Sequence, residues 1–245
     1  MSAGQHSVYD LIHLDHSYHY AAAAGLSAAV LTLAGLAIRS KANLKLEADE
    51  VLPDGRWTFF NTMVEFLAYF RKLLQDMIGQ DGEKYLPIVF GTFLLILTNN
   101  LSGFIPGLIS PSENLINNLS MALFVFLAYQ FFGLKEHGLH YFKQFTGGLP
   151  PKGYGLGVSI VLSVVAVMVF FIEVIGHIVR PFSLSLRLWG TVTGDHALLS
   201  VATGVMPLVL PMLAMILGLL VSVVQALVFS LLSTVYIKLA VSHDH

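Results

Sequence analysis

The sequence predicts an all-α integral membrane protein, and three observations carry that reading. Hydrophobic residues make up 56% of the 245 and charged residues only 11%. A soluble domain averages about 25% charged and could not hide so much apolar surface. Mean hydropathy is +0.74. The apolar residues fall in long runs, whereas a membrane barrel would show segments of roughly ten residues with alternating polarity, so the spans are helices. The lipid bilayer is therefore the first partner of the chain. A net charge of -2 leaves no basic field for nucleic acid. Zero cysteines exclude a disulfide framework, Cys-bound zinc, iron–sulfur clusters and thiol catalysis.

The whole chain reads as one polytopic membrane domain, beginning with an outside tail over residues 1–20 that holds no Lys or Arg. His13, His16 and His19 in that tail are spaced by three and could gather a metal on a helix, but a solvated tail is the preferred reading. Ala21 to Ile38 is the first span, fronted by Tyr18 and Tyr20 and followed at once by Arg39, Lys41 and Lys45. A cleaved secretory signal would carry its positive charges before the apolar stretch. From Thr58 to Gln80 apolar residues such as Phe66, Phe70, Leu73, Leu74 and Met77 recur at helical spacing, with Glu65, Lys72, Gln75 and Asp76 opposite. That pattern predicts a helix lying in the membrane interface. Tyr85 to Phe104 and Ile116 to Leu134 are two span-length segments, joined by the connector Ile105 to Leu115, which has no positive charge. They form a helical hairpin over residues 85–134, with Asn99, Asn100, Asn117, Asn118 and Gln130 expected to hold it together by interhelical hydrogen bonds.

Beyond the polar loop Lys135 to Tyr154 come two longer apolar runs, Leu156 to Val205 and Pro211 to Val241. Eleven of the thirteen Lys and Arg sit in or beside segments that one topology puts on the same side: 39 to 84, 135 to 152, and Lys238. By the positive-inside rule that side is cytoplasmic, with the N-terminus outside and the C-terminus inside. The two last runs, about 50 and 31 residues, would make helices of roughly 75 and 46 Å against a hydrocarbon core of about 30 Å. Breaking the first into two spans would make Arg180 to Arg187 the only positively charged outside loop and would move Lys238 outside as well. The preferred alternative, over 156–241, is a hairpin of two long, strongly tilted helices, with Pro181 the natural place for a bend.

Arg180 and Arg187 are the two exceptions to the charge rule, and they lie inside apolar sequence. Glu173, Arg180 and Arg187 are spaced by seven, within about 40° on one face of a continuous helix, and His177 adds to that face. A charge at membrane depth costs upwards of about 2.5 kcal/mol, so such a set lines water or meets a partner charge. Glu173 and Arg180 could pair with each other near an interface. Arg187 has no acidic residue one turn away, and Asp195 is eight positions on and rotated about 80°. An unpaired intramembrane Arg implies a counter-charge from another chain or a ligand.

The stretch Arg180-Pro181-Phe182-Ser183-Leu184-Ser185-Leu186-Arg187-Leu188-Trp189-Gly190, followed by His196, closely resembles the signature of subunit a of the F-type ATP synthase. The resemblance covers most of the chain. Asn99-Asn100-Leu101, Ile105-Pro106-Gly107, Pro111-Ser112 and Asn118-Leu119-Ser120-Met121-Ala122-Leu123 resemble the central hairpin of that family. Gln225-Ala226-Leu227-Val228-Phe229 and Thr234-Val235-Tyr236 resemble its final helix. The resemblance implies a proton-translocating stator subunit, without cofactor and not an enzyme on its own. It would work against a ring of subunit c, be held by the subunit b peripheral stalk, and belong with the rest of the ATP synthase complex in a bacterial inner membrane. Position by position, Arg187 matches the essential arginine of the family, Glu173 its acidic residue fourteen positions earlier and Gln225 its last-helix glutamine. His196 matches a position that holds Glu in many bacterial members and His in mitochondrial ones. Trp189 stands where Phe is usual, Thr191 where Asn is usual, and Asp195 where Gly is frequent.

The chemistry of these residues suits that role. A rotor carboxylate crosses lipid only when neutral, and a fixed cation favours its ionised form while blocking direct flow between two offset water channels. A guanidinium does this at any working pH, whereas a buried ammonium can lose its proton. The topology assigns Glu173 and His177 to the cytoplasmic half-channel and Asp195 with His196 to the outer one. His177 could instead be a histidine satisfied by a backbone carbonyl. Gln225 is polar but not titratable, so orienting Arg187 or water suits it better than carrying protons. The alternative is an ion-coupled secondary transporter, which would usually show internal inverted repeats; the halves of this chain show no self-similarity. An intramembrane metalloprotease would need a second His at His-Glu-x-x-His spacing, which Glu173 and His177 lack.

Overall fold

A computed structural model describes residues 19–41, 59–105, 108–138 and 156–241. Six α-helices account for nearly all of them: α1 (His19–Lys41), α2 (Phe59–Ile78), α3 (Leu86–Ser102), α4 (Leu115–His137), α5 (Leu156–Val205) and α6 (Val209–Val241). Short 3-10 turns at Gln80–Tyr85 and Pro111–Glu113 lead into α3 and α4. The described residues contain no strand, as the long apolar runs require. Four helical segments among them are long and apolar enough to cross a membrane: Asp81–Ser102, Leu115–Glu136, Val161–Val205 and Val209–Val241. The fold is thus an all-α membrane fold. The tail histidines His13 and His16, and most of the loop from Lys135 to Tyr154, lie outside the described residues.

The amphipathic helix and the hairpin form within one to three residues of the bounds expected from sequence. Asn114 explains where α4 starts, because its side chain accepts a hydrogen bond from the Ile116 amide at 2.8 Å and caps the first turn. Part of the apolar stripe of α2 is buried in the protein: Phe70 and Leu74 are fully covered, with Phe93 of α3 packed on Phe70 at a ring-centroid distance of 5.1 Å, and Phe66, Leu67, Leu73 and Met77 are half-buried. The opposite face carries Arg71 and Gln75, whose side chains both reach Glu83 in the turn before α3. One apolar cluster continues from there through Val89, Ile96, Val125 and Tyr129 to Leu184, Leu188 and Phe229, joining α2 to α6.

The long run from Leu156 to Val205 is a single 50-residue helix. Pro181 lies inside it and buried, and the helix continues on both sides; neighbouring helices in a membrane protein tolerate the lost amide donor. At about 1.5 Å per residue α5 is roughly 75 Å long and cannot stand upright in a bilayer core of about 30 Å. The partner helix α6 has 33 residues and packs along α5. The alternative of two short spans with a loop between Arg180 and Arg187 is ruled out by this continuity.

The hairpin is held by polar contacts, chiefly at its connector. Ser110 Oγ donates to the Asn99 carbonyl at 2.9 Å and Ser112 Oγ to Asn100 Oδ1 at 2.7 Å. Asn117 and Asn118 donate back to the Pro111 and Ser112 carbonyls. Across helices, Ser27 of α1 donates to Asn99 Oδ1, and Asn100 Nδ2 reaches the Ser222 carbonyl of α6 at 3.4 Å. The expected bonds across the hairpin are met only in part: Asn99 Nδ2 reaches Met121 Sδ of α4 at 3.7 Å, whereas Asn117 and Asn118 are spent on the connector and Asn99 and Asn100 also bond to α1 and α6.

Candidate functional site

Continuity of α5 places Glu173, Arg180 and Arg187 in succession along one side of it. Arg187 is exposed, and no described carboxylate comes within ion-pair distance of its guanidinium. Small residues are among those that share its face: Ser183, Gly190 and Gly194 fall within about 60° of it. A Cβ added at Gly190 or Gly194 would find nothing within 4 Å. Leu184 and Leu188, about 60° and 100° round the helix to one side of Arg187, are buried in one apolar cluster with Ala226 and Phe229 of α6. The charge is therefore displayed by a helix whose flank is anchored in the core. Gln225, next to that anchor, is only 6% exposed, and its Nε2 has no hydrogen-bond partner among the described residues. A buried amide left unpaired costs about 1–3 kcal/mol, so this group calls for an acceptor or a water.

Towards the N-terminal end of α5, Glu173 and His177 meet on their own helix. His177 is buried; its Nδ1 lies 3.0 Å from the Glu173 carbonyl oxygen and 3.6 Å from the Glu173 carboxylate. Backbone satisfaction, one of the two readings of His177, is what the geometry shows. The pairing considered for Glu173 with Arg180 does not form. Arg180 lies instead over the ring of Tyr236 on α6, 5.4 Å from its centroid, a cation–π contact.

The C-terminal end is built differently, from several elements. His196 Nε2 lies 3.0 Å from Glu113 Oε1, on the turn that connects α3 to α4. A Cβ added at Gly103, at the end of α3, would stand 2.9 Å from Ser110 Cβ, so the absence of a side chain there lets the connector close on the end of α3, with His196 Nε2 alongside at 3.5 Å. Asp195 turns the other way, towards α6. At Gly218 an added Cβ would meet the Phe104 ring at 3.0 Å, so this glycine makes room for that ring, with Asp195 Cγ alongside at 3.6 Å. The connector turn also packs against α1.

Of the residues singled out from sequence, the structure joins Glu173 to His177 and gives His196 a partner outside its own helix. It seats Gln225 beside the anchored face and leaves Arg187 without a counter-charge. Glu173 and His196 are 23 positions apart on one helix, about 35 Å, so they belong to separate places. Sequence reasoning missed Glu113, although it is the sole ionisable residue in the connector from Ile105 to Leu115. That isolation is the signal that could have found it.

Residues 23–238 match the protein family described as ATP synthase A chain. The chain is 37% identical over 230 residues to ATP synthase subunit a of Bdellovibrio bacteriovorus, covering 93% of this chain and 94% of that one. It is 34% identical over 199 residues to ATP synthase subunit a of Geobacter sulfurreducens, covering 81% and 80%. With the ATP synthase subunit a of a further Geobacter species it shares 36% over 226 residues, covering 91% and 90%. Matches of this extent, over a membrane fold with the expected helices, show that the chain belongs to the ATP synthase A chain family.

Proposed function

We propose that this chain is the proton-conducting stator subunit of an F-type ATP synthase, inert alone and working against a rotating ring of subunit c. The observation that carries the proposal is Arg187: an exposed guanidinium without a counter-charge, on a glycine- and serine-lined face of a helix long enough to cross a membrane obliquely. Burying it in lipid unpaired would be prohibitive, so its partner is a carboxylate brought by another chain. Small residues around it allow a helix to approach closely. As each ring carboxylate passes, Arg187 favours its ionised form, and the fixed positive charge keeps protons from crossing directly between the two half-channels.

In this reading Glu173, positioned by His177, serves the cytoplasmic half-channel, and Asp195 with His196 serves the outer one. The unsatisfied amide of Gln225 orients Arg187 or a water beside it. The amphipathic α2 lies at the cytoplasmic interface of a bacterial inner membrane, with the N-terminus outside and the C-terminus inside. The subunit b stalk holds the chain against rotation within the complete complex. The test is purification of the tagged chain in mild detergent and identification of what comes with it. A ring of small helical-hairpin proteins, stalk chains and the soluble head are expected. Recovery of the chain alone, or with none of the hairpin proteins, from membranes that make ATP would overturn the reading.

A further inference from the structure

We propose that Glu113 is a proton-carrying residue of the outer half-channel, exchanging protons with His196, so that this half-channel begins on the connector between α3 and α4. The inference deepens the proposed function and rests on it. Glu113 and His196 are in direct contact at 3.0 Å, with side chains 28% and 45% exposed, so the pair touches both protein and solvent. A purely structural clasp does not account for the pair. The connector is already fastened by Ser110, Ser112, Asn117 and Asn118, and ion pairs this exposed contribute little to stability. Nor is the carboxylate one of many at that surface, since the connector has no other ionisable residue.

The groups suit a relay. A carboxylate takes up and releases a proton at one oxygen, and an imidazole can accept at one ring nitrogen while releasing from the other. A proton arriving from outside protonates the Glu113 carboxylate, which passes it to His196 Nε2 and returns to the anion. The imidazolium then releases its Nδ1 proton inward, to water or to the adjacent Asp195, and is neutral again; exchange with water restores the starting tautomer. Charge and protons balance over the cycle, one proton in and one out. Tyr20 of α1 lies within electrostatic range of Glu113. Asp195, though turned towards α6, lies within electrostatic range of His196.

The experiment uses the complete complex in membrane vesicles carrying E113Q, E113D, H196Q, the E113Q/H196Q double variant or R187A, with rates divided by the amount of assembled complex. Glutamine keeps the size and hydrogen-bonding capacity of Glu113 but carries no proton. Proton-driven ATP synthesis is expected to fall about tenfold or more in E113Q, to recover to within about threefold of wild type in E113D, and to be no lower in the double variant than in the worse single one, as for groups acting in one relay. E113Q at the wild-type rate, or E113D as impaired as E113Q, would overturn the proposal. Synthesis by R187A would instead defeat the stator reading on which it rests, so the two failures are distinguishable.

Discussion

The two ends of α5 carry the same kinds of groups, a carboxylate and a histidine, and use them in opposite ways. At the N-terminal end Glu173 and His177 are one turn apart, and the histidine is buried on a carbonyl of its own helix. At the C-terminal end Asp195 and His196 are adjacent and point to different elements, one over Gly218 of α6 and the other to Glu113 of the connector. The Glu173–His177 contact follows from helix geometry, since i and i+4 are neighbours. The C-terminal site exists only because α3, α5, α6 and the connector are packed in one arrangement. Damage to packing should therefore be felt at the C-terminal end, and damage to single titratable groups at either.

The largest effect within this comparison is expected from replacing Asp195 and His196 together with Leu, which removes both titratable groups from that end. Proton-driven synthesis in vesicles should drop about tenfold or more, while an undiminished flux would contradict an outer half-channel at this position. Next comes Gly218→Val, which forces side-chain atoms into the Phe104 ring, beside Asp195. Overpacking of this kind costs about 1–3 kcal/mol and should lower the thermal midpoint of the assembled complex. A variant as stable and active as wild type would show that the C-terminal site is not packing-dependent. Glu173→Gln should reduce transport without changing that midpoint, because the carboxylate holds no other element in place. The smallest effect is expected from His177→Ala, which removes a hydrogen bond to backbone and a weak contact to Glu173, a loss worth about 0.5–1.5 kcal/mol. If His177→Ala were as damaging as Glu173→Gln, His177 would be a proton carrier in its own right and the contrast between the two ends would disappear.

What could be read from sequence follows the same division. Helices α5 and α6 were legible because continuous apolar runs of that length admit few structures, and Arg187 because a charge inside such a run stands out against its neighbours. The His177 contact to its own helix was legible as one of two readings, since i and i+4 are always neighbours on a helix. Glu113 and Gly218 were not. The partner of Glu113 lies on a helix far along the chain, and no local pattern announces which loop will meet which helix. Gly218 sits in an apolar run where glycine is common in membrane helices, and only the approach of Phe104 gives it a purpose. The route of Arg180 to Tyr236 was equally hidden, because a nearby carboxylate at 173 offered a simpler partner.

The central claim is that Arg187 faces a rotor carboxylate and separates two half-channels, and ATP-driven acidification of vesicles tests it most directly when passive proton permeability is measured on the same preparation. With the complex assembled, Arg187→Ala should abolish pumping and let protons leak through the membrane sector. Arg187→Lys should fail to pump as well, because an ammonium lacks the rigid fork of a guanidinium and can release its proton. Normal ATP-driven pumping by the Ala variant would contradict the account.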